Sequence, residues 1–568
     1  MDNWFKYLEL LKQEGEIGTF EIEFAKFINK FENNSTQNLL SCSILTVNDQ
    51  IAGNICTDLS QLDSSMLAPR LKLTDVSLDT LIGELRAFEC IGFPGDYKPF
   101  ILEGTNLYLH KYWVYENELV EWLKGKTLSN SRELTAAECK VVESQFGTSN
   151  ENGVDLQKIA TSLALMKDLL IISGGPGTGK TYTVHKIIQA LKSQDETVSI
   201  ALAAPTGKAA ERLSESLVQS QEEIEASTLH KLLGARRNGE FRFNENNQLP
   251  FDVVIVDEAS MLDIRLWISL TRALKKHTKL VLLGDKDQLA SVEAGSVLGD
   301  ICSNTDNNFS GSTHESLKVI DQNINEGSSP NILNNHVVLL EKSYRTETSS
   351  GISELGKAIN NQKVEAVFEI IKDYKQVDIK APSPSLLESL IKSYVTEIIS
   401  SDKSSQFLCS NKKGGLGTHE LNKRIEQEIK KTLKVKSSIE WYEGRRIIIT
   451  KNSTSTGLKN GEIGECYKNE NDELYIRFDS LKSVTVSQLK DYDLAYAITV
   501  HKSQGSEFNN VVLFLPDKIN PVLSKELLYT GVTRAKENTL VIGNKELIIQ
   551  IVHKKIKRIS SIPTKIIG

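Results

Sequence analysis

The 568-residue chain has no run of about 18 uncharged apolar residues, so no transmembrane helix is expected. Its start, Met1-Asp2-Asn3-Trp4-Phe5-Lys6, lacks the basic-then-apolar order of a secretory leader. The expected location is therefore the cytoplasm. Cysteine is sparse and scattered: Cys42, Cys56, Cys90, Cys139, Cys302, Cys409 and Cys466 form no C-x-x-C pair and no Cys/His cluster. A zinc or iron–sulfur site is not expected, and reduced thiols are the default. There is no excess of positive charge either. The formal net charge is −7, so the chain as a whole has no electrostatic footprint of a nucleic-acid binder. A single channel lined with Lys and Arg remains compatible with that value. What is present is ordinary for a soluble globular protein, with 40% hydrophobic and 25% charged residues. The length predicts three to four domains.

The most informative stretch is Gly174-Gly175-Pro176-Gly177-Thr178-Gly179-Lys180-Thr181. It follows the apolar run Leu169-Leu170-Ile171-Ile172-Ser173 and precedes a helical pattern from Tyr182. Strand, Gly-rich loop and helix with G-x-x-x-x-G-K-[ST] spacing make a P-loop. The glycines let backbone N–H groups wrap phosphate oxygens, and the helix N-terminus adds positive dipole. Lys180 is placed for the β- and γ-phosphates, and the Thr181 hydroxyl for Mg²⁺. Downstream, Val253-Val254-Ile255-Val256 reads as a buried parallel strand ending in Asp257-Glu258. Asp257 would hold Mg²⁺ through water, and Glu258 would orient and deprotonate the attacking water. Together the two motifs indicate NTP hydrolysis.

Residues 1 to about 115 show helical periodicity, then two short strands around a turn containing Gly104. They carry no catalytic constellation and read as a structural or partner-binding domain. Strands are expected at 168–173, 197–203, 252–257, 279–284 and 336–340, alternating with helices in a doubly wound parallel sheet. Ser303 to Pro330, rich in Ser, Asn, Asp and Gly, is expected to be a mobile surface loop. A second α/β pattern has strands near 406–410, 494–499, 510–515 and 539–543. Short strands separated by turn residues, 444–450, 461–467 and 473–478, predict a small β-barrel inserted at about 440–490.

Further polar residues follow strands or fall near domain ends. Gln288, in Gly284-Asp285-Lys286-Asp287-Gln288-Leu289, is placed to sense the γ-phosphate. Arg345, in Ser343-Tyr344-Arg345, and Arg534, in Thr530-Gly531-Val532-Thr533-Arg534, suit charge stabilisation on a transferring phosphoryl group. With Ala204-Pro205-Thr206-Gly207-Lys208-Ala209-Ala210, Ser227-Thr228-Leu229-His230 and His501-Lys502-Ser503-Gln504-Gly505, the ordered set resembles the superfamily 1 helicases. Within them it resembles the RecD family, over residues 95–545. Leu102-Glu103-Gly104, Tyr108 and Tyr112-Trp113 are similar to that family's N-terminal region.

The resemblance implies an α/β fold of two RecA-like P-loop domains, at 116–345 and 346–568. An SH3-like barrel would interrupt the second, and a mainly helical docking domain at 1–115 would precede the first. It implies an ATP- and Mg²⁺-dependent 5′-to-3′ DNA helicase or translocase. Such a subunit works in an exodeoxyribonuclease V (RecBCD) complex beside RecB-like and RecC-like subunits. The complex unwinds duplex ends for double-strand-break repair by homologous recombination and for DNA degradation, so single- and double-stranded DNA ends are the expected substrates. By position, Gln157 would read the adenine edge and Tyr344 would stack on the base. Gly505 and Glu507 would border the nucleotide, Glu507 at the ribose, while Arg345 and Arg534 touch the γ-phosphate from the second domain. Thr206, Lys208, Thr228, His230, Thr499 and His501 fall in motifs that face single-stranded DNA or relay closure between domains.

Two other readings compete. A stand-alone RecD-like helicase usually carries helix-hairpin-helix repeats before the motor, and none is seen in this short N-terminal region. A protein-remodelling P-loop ATPase is opposed by the duplicated α/β domains with an Arg in each motif region. No compact acidic cluster with a nearby lysine lies outside the ATPase motifs, so nuclease activity is expected in a partner.

Overall fold

Leu169–Gly174 forms the expected strand ahead of the Gly-rich loop, and every residue of it is buried. Leu169 and Ile171 pack into one hydrophobic core, Leu170 and Ile172 into another. The two-residue period of a strand, applied to a continuous apolar run, fills both faces of a parallel sheet. The computed structural model describes all residues except 1, 33, 129–131, 148–152, 219–223, 237, 292, 345–349, 401–403, 454, 479–481, 557 and 568.

The first parallel sheet has six strands, in the order Val337–Leu340, Leu169–Gly174, Lys279–Gly284, Val253–Val256, Ile200–Ala204 and Ala226–Thr228. The second has five, in the order Val377–Lys380, Ala535–Ile542, Phe508–Phe514, Ser405–Cys409 and Ala497–Thr499. It too has a core on each face. The short strands Ala226–Thr228 and Val377–Lys380 were not anticipated. Between Ser405–Cys409 and Ala497–Thr499 lies a separate five-stranded antiparallel sheet with its own core around Ile447, Ile476 and Phe478.

The N-terminal residues make helices Asp2–Gln13, Thr19–Phe31, Gln37–Ile51 and Leu78–Leu85 beside a four-stranded sheet. The expected hairpin is present as Phe100–Glu103 and Asn106–Leu109. Helix His110–Leu128 then runs past residue 115 and lays Leu119, Val120 and Leu123 on one face of the first parallel sheet. The C-terminal segment returns to this region. Ile559 exchanges hydrogen bonds with Asn54 and Ile55, and Ile562 and Ile566 enter the same core. Among the described residues no helix is long and apolar enough to cross a membrane.

The expectation for Ser303–Pro330 is corrected. That stretch contains helix Gly311–Ile320, which buries Thr313, His314, Ser316, Leu317 and Ile320. Hydrogen bonds tie it to its surroundings: Asn307 exchanges them with the backbone of Leu339, and the Asn308 carbonyl accepts from Nδ2 of Asn334, just beyond the stretch. Polar side chains that can replace a backbone partner make a segment look like a loop while ordering it.

Candidate active site

The Gly-rich loop bends where only glycine is comfortable. Gly177 and Gly179 have φ of +81° and +83°. Gly179 also lacks space, since a Cβ there would stand 2.1 Å from Gln157 Nε2. It caps helix Lys180–Gln194 without any side-chain hydrogen bond, leaving the first-turn N–H groups to the loop, as an anion site requires. Lys180 Nζ folds over the loop and donates to the carbonyls of Gly174 (2.5 Å) and Gly175 (3.1 Å).

Strand Val253–Val256 ends in the two carboxylates. The Asp257 N–H donates to the Ala203 carbonyl at 2.9 Å, and Asp257 Oδ1 accepts from the Glu258 N–H at 2.8 Å. Glu258 has φ +54° and ψ +39°, a left-handed conformation that is costly for a non-glycine residue and concentrates at functional sites. Asp257 keeps some exposure at the cleft floor, yet protein surrounds its carboxyl closely. Desolvation first, then the charge of Glu258, push it up to about 6 against the pull of Lys180.

These groups line a cavity of about 1060 Å³ between the two parallel sheets. From the first half it takes Pro176, Gly177, Gly179, Lys180, Thr181, Asp257, Glu258 and Gln288, with Tyr344 at the side; from the second come Gly505, Glu507 and Arg534. The Tyr344 N–H donates to the Gly177 carbonyl at 2.8 Å while its side chain stays exposed. Arg534 is buried and donates to the carbonyls of Thr530 and Ser506, both at 3.3 Å. Gln288 Nε2 donates to Asp285 Oδ2 (3.0 Å), which also accepts from the Tyr529 hydroxyl of the other half (2.8 Å). Burial raises the pKa of Asp285 and holds that of Tyr529 well above the usual phenol value.

The remaining expected residues lie elsewhere. Gly174, Gly175 and Thr178 border a neighbouring cavity of about 430 Å³ behind the loop. Gln157 is buried, and its Nε2 donates to the Thr178 carbonyl at 3.0 Å. Arg345 lies outside the described residues. The six residues expected at DNA do not share one cavity. Lys208 borders a cavity of about 350 Å³ with Arg446 and Arg477, and Thr499 one of about 210 Å³ with Lys412, His419 and Lys502. Thr206 Oγ1 accepts from the Ala209 N–H and Thr228 Oγ1 from the Lys231 N–H. His230 is exposed beside Phe241. Burial, then Arg558, holds the pKa of His501 below the usual imidazole value.

Sequence reasoning missed Arg212 and Lys536, which also line the cavity between the two sheets. Arg212 lies four residues beyond Lys208 and Lys536 two beyond Arg534, so inspecting cations next to the motifs would have found both.

Two parallel α/β sheets with a P-loop and paired acids on one side of a cleft and an arginine on the other are the arrangement of an ATP-hydrolysing DNA helicase. The RecBCD enzyme subunit RecD of Buchnera aphidicola subsp. Schizaphis graminum is 33% identical over 505 residues, which cover 80% of this chain and 83% of that protein. The chain belongs to the RecD family. The RecBCD enzyme subunit RecD of Haemophilus influenzae is also 33% identical, over 525 residues covering 82% of this chain and 80% of that one. The ATP-dependent RecD2 DNA helicase of Deinococcus radiodurans is 29% identical over 380 residues, 66% of this chain but 47% of that protein. Residues 13–108 match the family model of the RecBCD enzyme subunit RecD, N-terminal domain, residues 157–294 that of an AAA domain, and residues 494–542 that of the UvrD-like helicase C-terminal domain.

Proposed function

We propose that this chain is the 5′-to-3′ translocating subunit of an exodeoxyribonuclease V assembly, acting on single- and double-stranded DNA ends beside RecB-like and RecC-like subunits in the cytoplasm. The observation that carries the motor reading is the single cavity that collects Lys180, Asp257 and Glu258 from one half and Glu507 and Arg534 from the other. A nucleotide there touches both halves, so its hydrolysis alters how they close, and DNA gripped alternately by the two is moved.

The domains divide as 1–115 for docking, 116–345 and 346–568 for the two RecA-like motor halves, with the inserted antiparallel sheet as an SH3-like element. Lys180 and the loop amides bind the ATP phosphates. Thr181 and Asp257 offer hard oxygen donors, a set that fits Mg²⁺. Bound there, Mg²⁺ would offset phosphate charge. Glu258 serves as base for the attacking water, Gln288 senses the γ-phosphate, and Arg534, with Arg345, stabilises developing negative charge. Tyr344 stacks on adenine. With Gln157 Nε2 engaged on Thr178, its Oε1 is the atom to accept from the adenine amino group. Thr206, Lys208, Thr228, His230, Thr499 and His501 face the single strand, and the cations around Thr499 meet its phosphates.

The docking role of the N-terminal region is supported by an aromatic row on helix Thr19–Phe31. Phe20, Phe24, Phe27 and Phe31 follow one another at centroid spacings of 6.2, 6.3 and 6.4 Å, with Phe20, Phe27 and Phe31 exposed. A contiguous apolar surface of this kind marks an interaction site. Replacing Phe20, Phe27 and Phe31 by Ser should leave single-stranded-DNA-stimulated ATPase intact and prevent co-purification with a larger nuclease–helicase subunit. A full-length chain that is monodisperse alone, binds no such subunit and unwinds 5′-tailed duplexes efficiently would instead establish a stand-alone helicase.

A further inference from the structure

Arg212 has no role in the assignments above, yet its guanidinium reaches across the nucleotide cleft. It stands on helix Gly207–Val218 of the first half, one turn beyond Lys208. Nη1 donates to the Gly505 carbonyl at 2.9 Å, and Nη2 donates to Glu507 Oε2 at 2.6 Å. Both acceptors belong to the second half and flank Ser506. The Ser506 carbonyl in turn accepts from Arg534 Nη1 at 3.3 Å, and the Thr530 carbonyl accepts from Arg534 Nε at 3.3 Å. Two carbonyl oxygens thus orient the Arg534 guanidinium, and one lies in the middle of the segment that Arg212 grips.

That segment fits closely on the helix that carries Arg212. Gly505 has φ +71°, and a Cβ there would come within 3.3 Å of the Ala209 Cβ and 3.5 Å of Thr206 Oγ1. The planar fork of an arginine suits this task, because it engages two acceptors at once in a fixed geometry. A lysine ammonium is a point charge that cannot hold a carbonyl and a carboxylate in the same relation. Lys536 Nζ, 4.0 Å from Glu507 Oε2, adds charge on the other side of that carboxylate without bridging the cleft.

We infer that Arg212 is a positioning residue for Arg534. When the halves close, the Arg212 fork fixes Gly505 and Glu507, which fixes the Ser506 carbonyl and so sets where the Arg534 guanidinium stands against the nucleotide phosphates. This rests on the reading of Arg534 as the group that stabilises the transferring phosphoryl charge.

The test is a double-mutant cycle in the full chain, scoring single-stranded-DNA-stimulated ATPase as kcat and KM separately. Arg212→Ala should lower kcat by about tenfold or more while moving KM by less than about threefold, as expected when an effect falls on the transition state. Arg212→Lys should restore little of the loss. In an Arg534→Ala background, removing Arg212 should cost less than about twofold more, because a residue acting through another has nothing left to position. A melting transition measured on each variant separates this from simple unfolding, which would not make the two losses redundant. Should Arg212→Ala fail to fold, Arg212→Lys and Glu507→Gln enter the same cycle. If the two losses multiply, Arg212 acts independently of Arg534 and the inference is overturned. If Arg534→Ala alone leaves kcat unchanged, the reading of Arg534 itself fails and takes this inference with it.

Discussion

Strand Leu169–Gly174 runs through a Gly-rich loop into helix Lys180–Gln194, and strand Ser405–Cys409 runs through Ser410-Asn411-Lys412-Lys413-Gly414-Gly415-Leu416-Gly417 into helix Thr418–Thr432. Each strand is interior to its sheet, with a parallel neighbour on both sides. The two loops differ in how they treat the helix N-terminus. In the first, Gly179 is left-handed and Lys180 opens the helix. In the second, Gly417 is extended, and the Thr418 and His419 N–H groups already donate to the Asn411 and Lys412 carbonyls at 3.1 Å. An anion nest needs such N–H groups free, so the second loop has closed its own. Its neighbouring strands also end without a pair of adjacent carboxylates. The same strand–loop–helix frame therefore does not by itself make an anion site. Open amides, a lysine and paired acids make the difference, and the second half instead sets Lys412 beside Thr499, His419 and Lys502.

The comparison breaks most visibly at Lys180. Lys180→Gln should reduce DNA-stimulated ATP hydrolysis by about a thousandfold or more with an unchanged circular dichroism spectrum, since the lysine serves phosphate and transition-state charge and no core. Normal turnover in that variant would remove the P-loop assignment. Glu258→Gln should slow turnover by about a hundredfold to a thousandfold while ATP still binds, because the amide keeps the shape and loses the base. Equilibrium nucleotide binding beside single-turnover hydrolysis separates the two quantities. A collapse of affinity with normal turnover of the bound fraction would make Glu258 a binding residue.

A smaller effect sharpens the other side. Lys412→Ala should weaken single-stranded DNA binding a few-fold and reduce the salt dependence of log K by roughly one phosphate's worth. Titrating DNA at several ionic strengths reads both, and an unchanged salt slope would mean that the second loop meets no phosphate.

The smallest expected effect concerns the first sheet alone. His336 is buried with Nδ1 3.0 Å from the Leu169 carbonyl oxygen, and burial pushes its pKa down to about 4. Above about pH 7.5 the ring is neutral folded or unfolded and contributes no pH dependence. As pH falls from there towards 4, the unfolded chain takes up the proton first, so folded stability declines, by roughly 1 kcal/mol at pH 6 and more below. Denaturation measured across this range should show the slope in the parent chain and less of it in His336→Asn. Equal slopes would place the acid sensitivity elsewhere.

Local chemistry is legible in the chain itself. Gly174–Thr181 and Asp257-Glu258 are runs of adjacent residues whose spacing is itself the requirement, so strand, loop and helix had to follow them in order. Apolar runs such as Leu169–Ile172 and Val253–Val256 likewise determined two-sided burial and hence parallel sheets. Tertiary structure decided which distant groups meet. Arg212 reaches Glu507 and Gly505 across some three hundred residues of chain, Gln157 spends its amide nitrogen on Thr178, Asn307 ties a segment of loop-like composition to the backbone of Leu339, and Phe20, Phe27 and Phe31 of helix Thr19–Phe31 stay exposed. The physical reason is range. Periodicity and turn chemistry act over a few residues, whereas closure of a cleft depends on how two separately packed sheets dock, and that leaves no periodic trace in the sequence.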